Sequence, residues 1–259
     1  MDPCELRDVV HGQTPMGQTE MRSFLLRRHV RLPDMVLAAV AAVSFGEPAL
    51  AAARPQLAVV ELFTSQGCSS CPPANDNIRT LSSRPDVLSL SFGVTYWDQL
   101  GWKDTFASPA FTARQWGYAR GLHHDNVFTP QVVVNGRADT VGQHLSDIEA
   151  LLRGPPLAGP QIAAETGRVR LSAGTAPQGA PADVWLVRYE PAVIDVPVRR
   201  GENTGRTLPH AHVVRSLTRL GGWSGGPVSL SLPPGGAGLA SAVLVQSAGT
   251  GPILAAAAL

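Results

Sequence analysis

Two cysteines, Cys68 and Cys71, stand three positions apart in "ELFTSQGCSSCPPAND", Glu61 to Asp76. That spacing serves thiol–disulfide exchange, metal ligation and haem attachment alike. A c-type haem needs a histidine directly after the second cysteine, and Pro72 stands there. A tetrahedral zinc site needs about four ligands, and His123 and His124 are adjacent in sequence and poorly placed to converge on the pair. No metal is therefore assigned to it. Exchange chemistry fits the local pattern better. At the start of a helix, Cys68 would feel the partial positive charge of unpaired backbone N–H groups, which favours thiolate over thiol. Cys71, one turn further in, would keep its proton longer and suits the resolution of a mixed disulfide formed at Cys68. Two alternatives stay open. One is a structural disulfide in a protein whose β-rich second half, residues 155–259, docks it onto a partner, although a loop this short gains little unfolded-state entropy. The other is a Cu(I)-binding protein or metallochaperone, with soft thiolates joined by His124 or His144.

Two further groups of residues could bind or polarise a ligand. "YWDQLGWKD" gathers Tyr96, Trp97, Asp98, Trp102, Lys103 and Asp104 in a segment beyond the carboxyl end of a predicted strand, the edge at which open parallel sheets bind ligands. Trp97 and Trp102 offer aromatic faces beside the cysteines, with Asp98 or Lys103 to polarise what they hold; packing against a core is the plainer role for both tryptophans. "RRGENTGRTLPHAHVV" carries a turn flanked by Arg199, Arg200 and Arg206, then His210 and His212 on alternate positions of a possible strand.

The elements that must position these residues follow from local pattern. "LAVVELFT", Leu57 to Thr64, is a near-continuous apolar run of buried-strand type. Pro72 and Pro73 suit a helix's first turn, where no N–H is needed. "DVLSLSFGV" predicts a second strand and "PAFTARQWGYARGL" a second helix. "TPQVVVNGRADTVG" predicts two short strands around an Asn135-Gly136 turn, and "QHLSDIEALLRG" a third helix. From Pro155 onward, short strand-like runs alternate with Gly and Pro turns. The expected fold is α/β: a βαβαββα domain over 54–154, then a β-rich, sandwich-like module over 155–259.

Residues 1–53 read as an upstream extension and a signal peptide. "MRSFLLRRHVRL" is basic, "MVLAAVAAVSF" apolar, and "ALAAA" supplies small residues for cleavage near Ala51 or Ala53. The expectation is export to the periplasm or medium, where disulfides persist, with Cys68 and Cys71 the only cysteines left after Cys4 is removed. The net charge of +1, with 16% charged residues, leaves no broad basic surface for nucleic acid.

Taken together, the strand, the C-x-x-C-P at a helix start and "FTPQVVVNG" some sixty residues later resemble the thioredoxin superfamily over roughly residues 57–153. The resemblance implies a thioredoxin-like domain in which Thr129-Pro130, with the proline cis, faces the cysteines and shapes a substrate groove. It also implies that Glu61, near the place of a buried acid, relays a proton to the second cysteine. Gly67 stands where a tryptophan is usual, and Ser69-Ser70 replaces the usual intervening pair. The strings "VVELFTSQGCSSCPPA", "YWDQLGWKD", "RQWGYA", "TPQVVVNG" and "RGENTGRTL" are similar to an exported bacterial family of unknown function. The functional expectation is a thiol–disulfide oxidoreductase with no cofactor beyond its own disulfide, acting on the thiol or disulfide of another protein or of a small molecule.

Overall fold

Strand β1, Ala58–Thr64, lies inside a four-stranded sheet of order β2-β1-β3-β4. It runs parallel to β2, Val87–Gly93, and antiparallel to β3, Gln131–Val134; β4, Ala138–Thr140, closes the edge. These strands belong to the computed structural model, which describes residues 56–259 except 177 and 179; the expected signal peptide lies outside that range. Between the strands come α1, Pro72–Leu81, α2, Pro109–Gly121, and α3, Leu145–Leu152. Prolines occupy the first turns of α1 and α2, where no N–H is needed. Ser108 caps α2, its Oγ accepting from the Ala110 N–H at 3.3 Å. The β3–β4 turn uses Asn135 and Gly136 at φ 52° and 63°, and a Cβ on Gly136 would come within 2.7 Å of the Gly251 carbonyl.

The chain then forms β5 (Ile162–Glu165), β6 (Arg168–Leu171), β7 (Ala182–Tyr189), β8 (Ile194–Pro197), β9 (Thr207–His210), β10 (Val214–Trp223), β11 (Val228–Ser231), β12 (Ala240–Gln246) and β13 (Ile253–Ala258). They make a second sheet of order β10-β7-β12-β13, a third of order β11-β6-β5, and the separate hairpin β8-β9.

Period-two alternation explains the layering. Val60 and Leu62 face Ala74, Ile78 and Leu81 of α1 and Ile148 of α3. Val59 and Phe63, on the other face, pack with Phe111 and Tyr118 of α2 and with Val187, Leu244 and Ala256 of the second sheet. That second sheet turns Val184, Leu186, Val243 and Val245 toward Ile162, Val169 and Trp223.

The expected fold class is therefore corrected. The described residues are 37% strand and 17% helix, with three α-helices among several small sheets, and a thioredoxin βαβαββα fold is not shown. The three helices and the strands of the first sheet stand where local patterning puts them. The class differs because α2 covers only part of the inner face of the first sheet, and strands from beyond residue 182 cover the rest. No pattern within residues 57–153 reports that cover. Among the described residues no helix is long and apolar enough to cross a membrane.

Gly93 ends β2 where the backbone of Phe106 and Ala107 passes close by; an added Cβ would lie 2.8 Å from the Ala107 nitrogen and from the Phe106 carbonyl carbon. Gly93→Ala is expected to lower unfolding stability by about 1–3 kcal/mol, checked by urea denaturation, because backbone rather than a flexible side chain must give way.

Candidate functional site

Cys68 and Cys71 form a disulfide with Cα atoms 5.4 Å apart. The chain leaves β1 at Thr64, and the Cys68 N–H donates to the Ser65 carbonyl at 3.1 Å. Cys71 occupies the N-cap of α1, its N–H donating to the Cys68 carbonyl (3.2 Å) and its carbonyl accepting from Asn75 (3.1 Å). Thr64 Oγ1 donates to Asn75 Oδ1 at 3.0 Å, tying the strand end to the helix start.

Thr129 and Pro130 meet this pair. Their peptide bond is cis, and Cys68 Sγ lies 3.8 Å from the Thr129 carbonyl and 3.7 Å from Ser70 Oγ. Trp97 joins them through Nε1, which donates to Thr129 Oγ1 at 2.7 Å. Trp102 reaches the same loop differently, Nε1 donating to Gln66 Oε1 at 2.9 Å. Asp98 braces its own segment, accepting from the Asp104 N–H at 3.1 Å, while Lys103 takes no part in this bonding. Trp97, Trp102, Thr129 and Pro130 thus gather at the disulfide loop, and Asp98 acts one residue layer away.

Sequence reasoning did not single out Gln66, Glu202 or Asn203, and it grouped Asp104 with the tryptophans without giving it a contact. Asp104, buried, accepts from the N–H groups of Gln66 and Phe106, each at 2.7 Å. Burial pushes its carboxyl up, against the pull of those two N–H groups. Gln66 is buried and links Trp102 to Thr105. Glu202 and Asn203, from the β8–β9 hairpin, hydrogen-bond the cysteine loop directly. The signal for Asn203 was the turn string "GENTG", which has no feature of its own that tells a binding loop from a surface one. Ser69 holds the Glu202 carboxyl below the usual range, through its hydroxyl first and then its N–H.

Glu61 is placed elsewhere. It is fully buried, its carboxylate accepting from Arg114 Nε at 2.8 Å and Nη2 at 3.1 Å and hydrogen-bonded by the Tyr118 hydroxyl. Gln246 Nε2 donates to the same hydroxyl at 3.0 Å. Burial works against the Arg114 charge, yet Glu61 and Tyr118 together raise its pKa above the ordinary value. Burial also lifts Tyr118 well above its usual value. His124, considered above as a ligand, is engaged otherwise, its Nε2 lying 2.9 Å from Asp139 Oδ2, and His212 Nδ1 lies 2.9 Å from the Ser89 carbonyl. No cluster of three or more His, Cys, Asp or Glu side chains suited to a metal occurs among the described residues.

The family described as "Protein of unknown function (DUF1223)" matches residues 59–246, which include the disulfide, the tryptophan segment, Thr129-Pro130 and the hairpin. The chain belongs to the DUF1223 family. The crystal structure of protein AGR_C_4864 from Agrobacterium tumefaciens is similar to this DUF1223 chain at 33% identity and TM-score 0.66, covering 80% of this chain and 96% of that one. HBP35 of Porphyromonas gingivalis aligns at 10% identity and TM-score 0.49 over 81% of this chain and 76% of that one, too distant to inform its fold or function. No curated protein matches.

Two predictions concern buried charge in this DUF1223 protein. Arg114→Ala strands the Glu61 carboxylate and is expected to cost about 3–5 kcal/mol, whereas the paired Glu61→Leu/Arg114→Met change recovers most of that loss; denaturant melts of the two variants check it. His210, buried against the edge of Phe106 at 5.4 Å, has no partner for Nε2, and burial pushes it down to about 4. The unfolded chain takes up this proton near 6.5 and the folded chain only near 4. Stability is therefore full above the first value and falls as pH drops toward the second, by roughly 3 kcal/mol. His210→Gln should flatten that fall, measured as the wild-type minus variant difference in denaturation midpoints between about pH 7 and about pH 4.5.

Proposed function

We propose that this DUF1223 protein is an exported thiol–disulfide oxidoreductase acting through Cys68 and Cys71. One observation carries the reading: the two sulfurs are bonded to each other at the N-terminus of α1, with Cys68 Sγ against the Thr129 carbonyl and Trp97 beside it. A substrate thiolate attacks Cys68 Sγ, the Cys68–Cys71 bond breaks, and Cys71 leaves as thiolate, favoured by its place at the positive end of the α1 dipole. A second substrate thiolate then attacks the substrate's own sulfur in the mixed disulfide and releases Cys68. The substrate gives up two electrons and becomes a disulfide, and the protein is left with two thiols. The reverse sequence reduces a substrate disulfide. Cys68 is the attacked atom and Cys71 the leaving and resolving one; Thr129, Pro130 and Trp97 line the approach. Glu61, committed to Arg114, has a structural part in this scheme. The partner is the thiol or disulfide of another polypeptide or of a small molecule, and the leader at residues 1–53 supports a compartment in which such bonds persist.

A second reading has its own support. Both cysteines are 0% exposed, as expected of a structural crosslink. By chain entropy alone a loop of this size contributes about 2 kcal/mol.

Redox titration and an exchange assay with a peptide disulfide separate the two. An exchange-active pair has a potential above roughly −270 mV, and Cys68→Ser abolishes turnover. A potential below roughly −300 mV, with peptide exchange no faster than in Cys68→Ser, leaves only the structural crosslink.

A further inference from the structure

The loop that carries the disulfide is hydrogen-bonded by the tip of the β8–β9 hairpin. Val198 and Gly205 close it through the Val198 N–H to the Arg206 carbonyl and the Gly205 N–H to the Val198 carbonyl, each at 2.9 Å. Gly201 and Gly205, at φ 82° and 78°, allow the chain to reverse. Asn203 enters the fold at 0% exposure, Nδ2 donating to the Gln66 carbonyl (3.0 Å) and the Cys68 carbonyl (2.8 Å), while Arg206 donates to its Oδ1 at 2.8 Å. Glu202 Oε2 accepts from the Ser69 N–H at 2.9 Å and from Ser69 Oγ at 2.7 Å, in an exposed contact.

This attachment differs in kind from the rest of the hairpin. Leu208 and His210 root β9 in the fold, and β9 packs on α1. Between Arg199 and Arg206 the only buried side chain is Asn203, and the tip is held by its polar contacts and by Gly201 lying close to Trp102 Cβ. A two-stranded hairpin with a polar, solvent-facing tip belongs to the low-stability end of a fold, where local opening occurs without global unfolding.

We propose that Arg199–Arg206 is a hinged cover over Cys68–Cys71, latched by Glu202 on Ser69 and pinned by Asn203, and that thiol exchange proceeds only from the state in which it has lifted. This rests on the oxidoreductase reading of the same pair. Opening frees the Gln66 and Cys68 carbonyls and the Ser69 N–H together with the sulfurs. The cover acts on the rate of exchange, since it must lift in either direction.

The test uses the oxidised full chain and two probes, tris(2-carboxyethyl)phosphine and dithiothreitol, with new thiols counted by alkylation and mass over time. Glu202→Ala removes two charge-assisted hydrogen bonds at an exposed position, so reduction by both probes is expected to be about tenfold faster while the thermal midpoint falls by only about 3–6 °C. Asn203→Ala is expected to accelerate reduction further; because it leaves buried carbonyls unpaired and can compromise folding, the Glu202 variant decides. A Glu202→Ala rate within about twofold of wild type overturns the cover. So does a wild-type disulfide reduced as fast as in the denatured chain. Equal rates with active peptide exchange remove the cover and leave the redox reading standing. Faster reduction in Glu202→Ala without peptide exchange at any potential keeps the cover and removes the redox reading.

Discussion

The buried pair of Glu61 and Arg114 constrains the rest of the structure. Arg114 lies among aromatic rings, its guanidinium carbon 5.8 Å from the Phe92 centroid and 5.1 Å from that of Tyr118. A cation in such surroundings is tolerated only where a counter-charge and hydrogen bonds replace water. Glu61 supplies the charge and Tyr118 an oxygen, and Gln246 of β12 completes the cluster. Three distant segments are thereby held at one point: β1, α2 and the second sheet. The pair also decides which way β1 faces. With Glu61 committed to the α2 side, Val60 and Leu62 must lie under α1, and the loop that leaves Thr64 is aimed at the start of that helix.

What the loop delivers is a disulfide enclosed by contributions from four parts of the chain. Residues 64–71 carry the sulfurs, the segment from Trp97 to Phe106 braces the loop through Gln66 and Asp104, Thr129-Pro130 lies against Cys68, and the hairpin tip bonds the loop through Asn203. The bracing is mostly side chain to backbone, so the loop's own peptide groups are satisfied by residues far away in sequence. Such a loop takes its shape from polar contacts with distant segments, and both cysteines within it are buried.

Much of the local structure was legible. The apolar run at 57–64, the tandem prolines at 72–73, the Asn135-Gly136 turn and the Gly154-Pro155 stop each act through neighbours in sequence, and each marks an element where the structure has one. The short strands β5, β8 and β9 escaped notice, being four residues each with weak or interrupted alternation. Of the site, the cysteines, Trp97 and Trp102 could be singled out from type and spacing, and Thr129-Pro130 only through the thioredoxin resemblance. The contacts of Asp104 and Asn203 could not be read, because a polar residue in a loop has the same composition whether it faces water or a backbone group. Glu61 was recognised as a buried-strand acid, but its partner Arg114 lies on a helix fifty-three positions away.

By itself, then, the sequence determined the elements, the pairing-competent cysteines and the turn chemistry, since these depend on short-range sterics and on hydrogen bonds between near neighbours. The tertiary structure alone decided three things: that strands from beyond residue 182 cover the first sheet, that Glu61 answers Arg114 and not the cysteines, and that a hairpin tip from residues 199–206 hydrogen-bonds the disulfide loop. Each depends on which surfaces meet, and burial of apolar area is non-directional. It drives segments together without writing their partners into local pattern, so the pairing emerges only when the whole chain is packed.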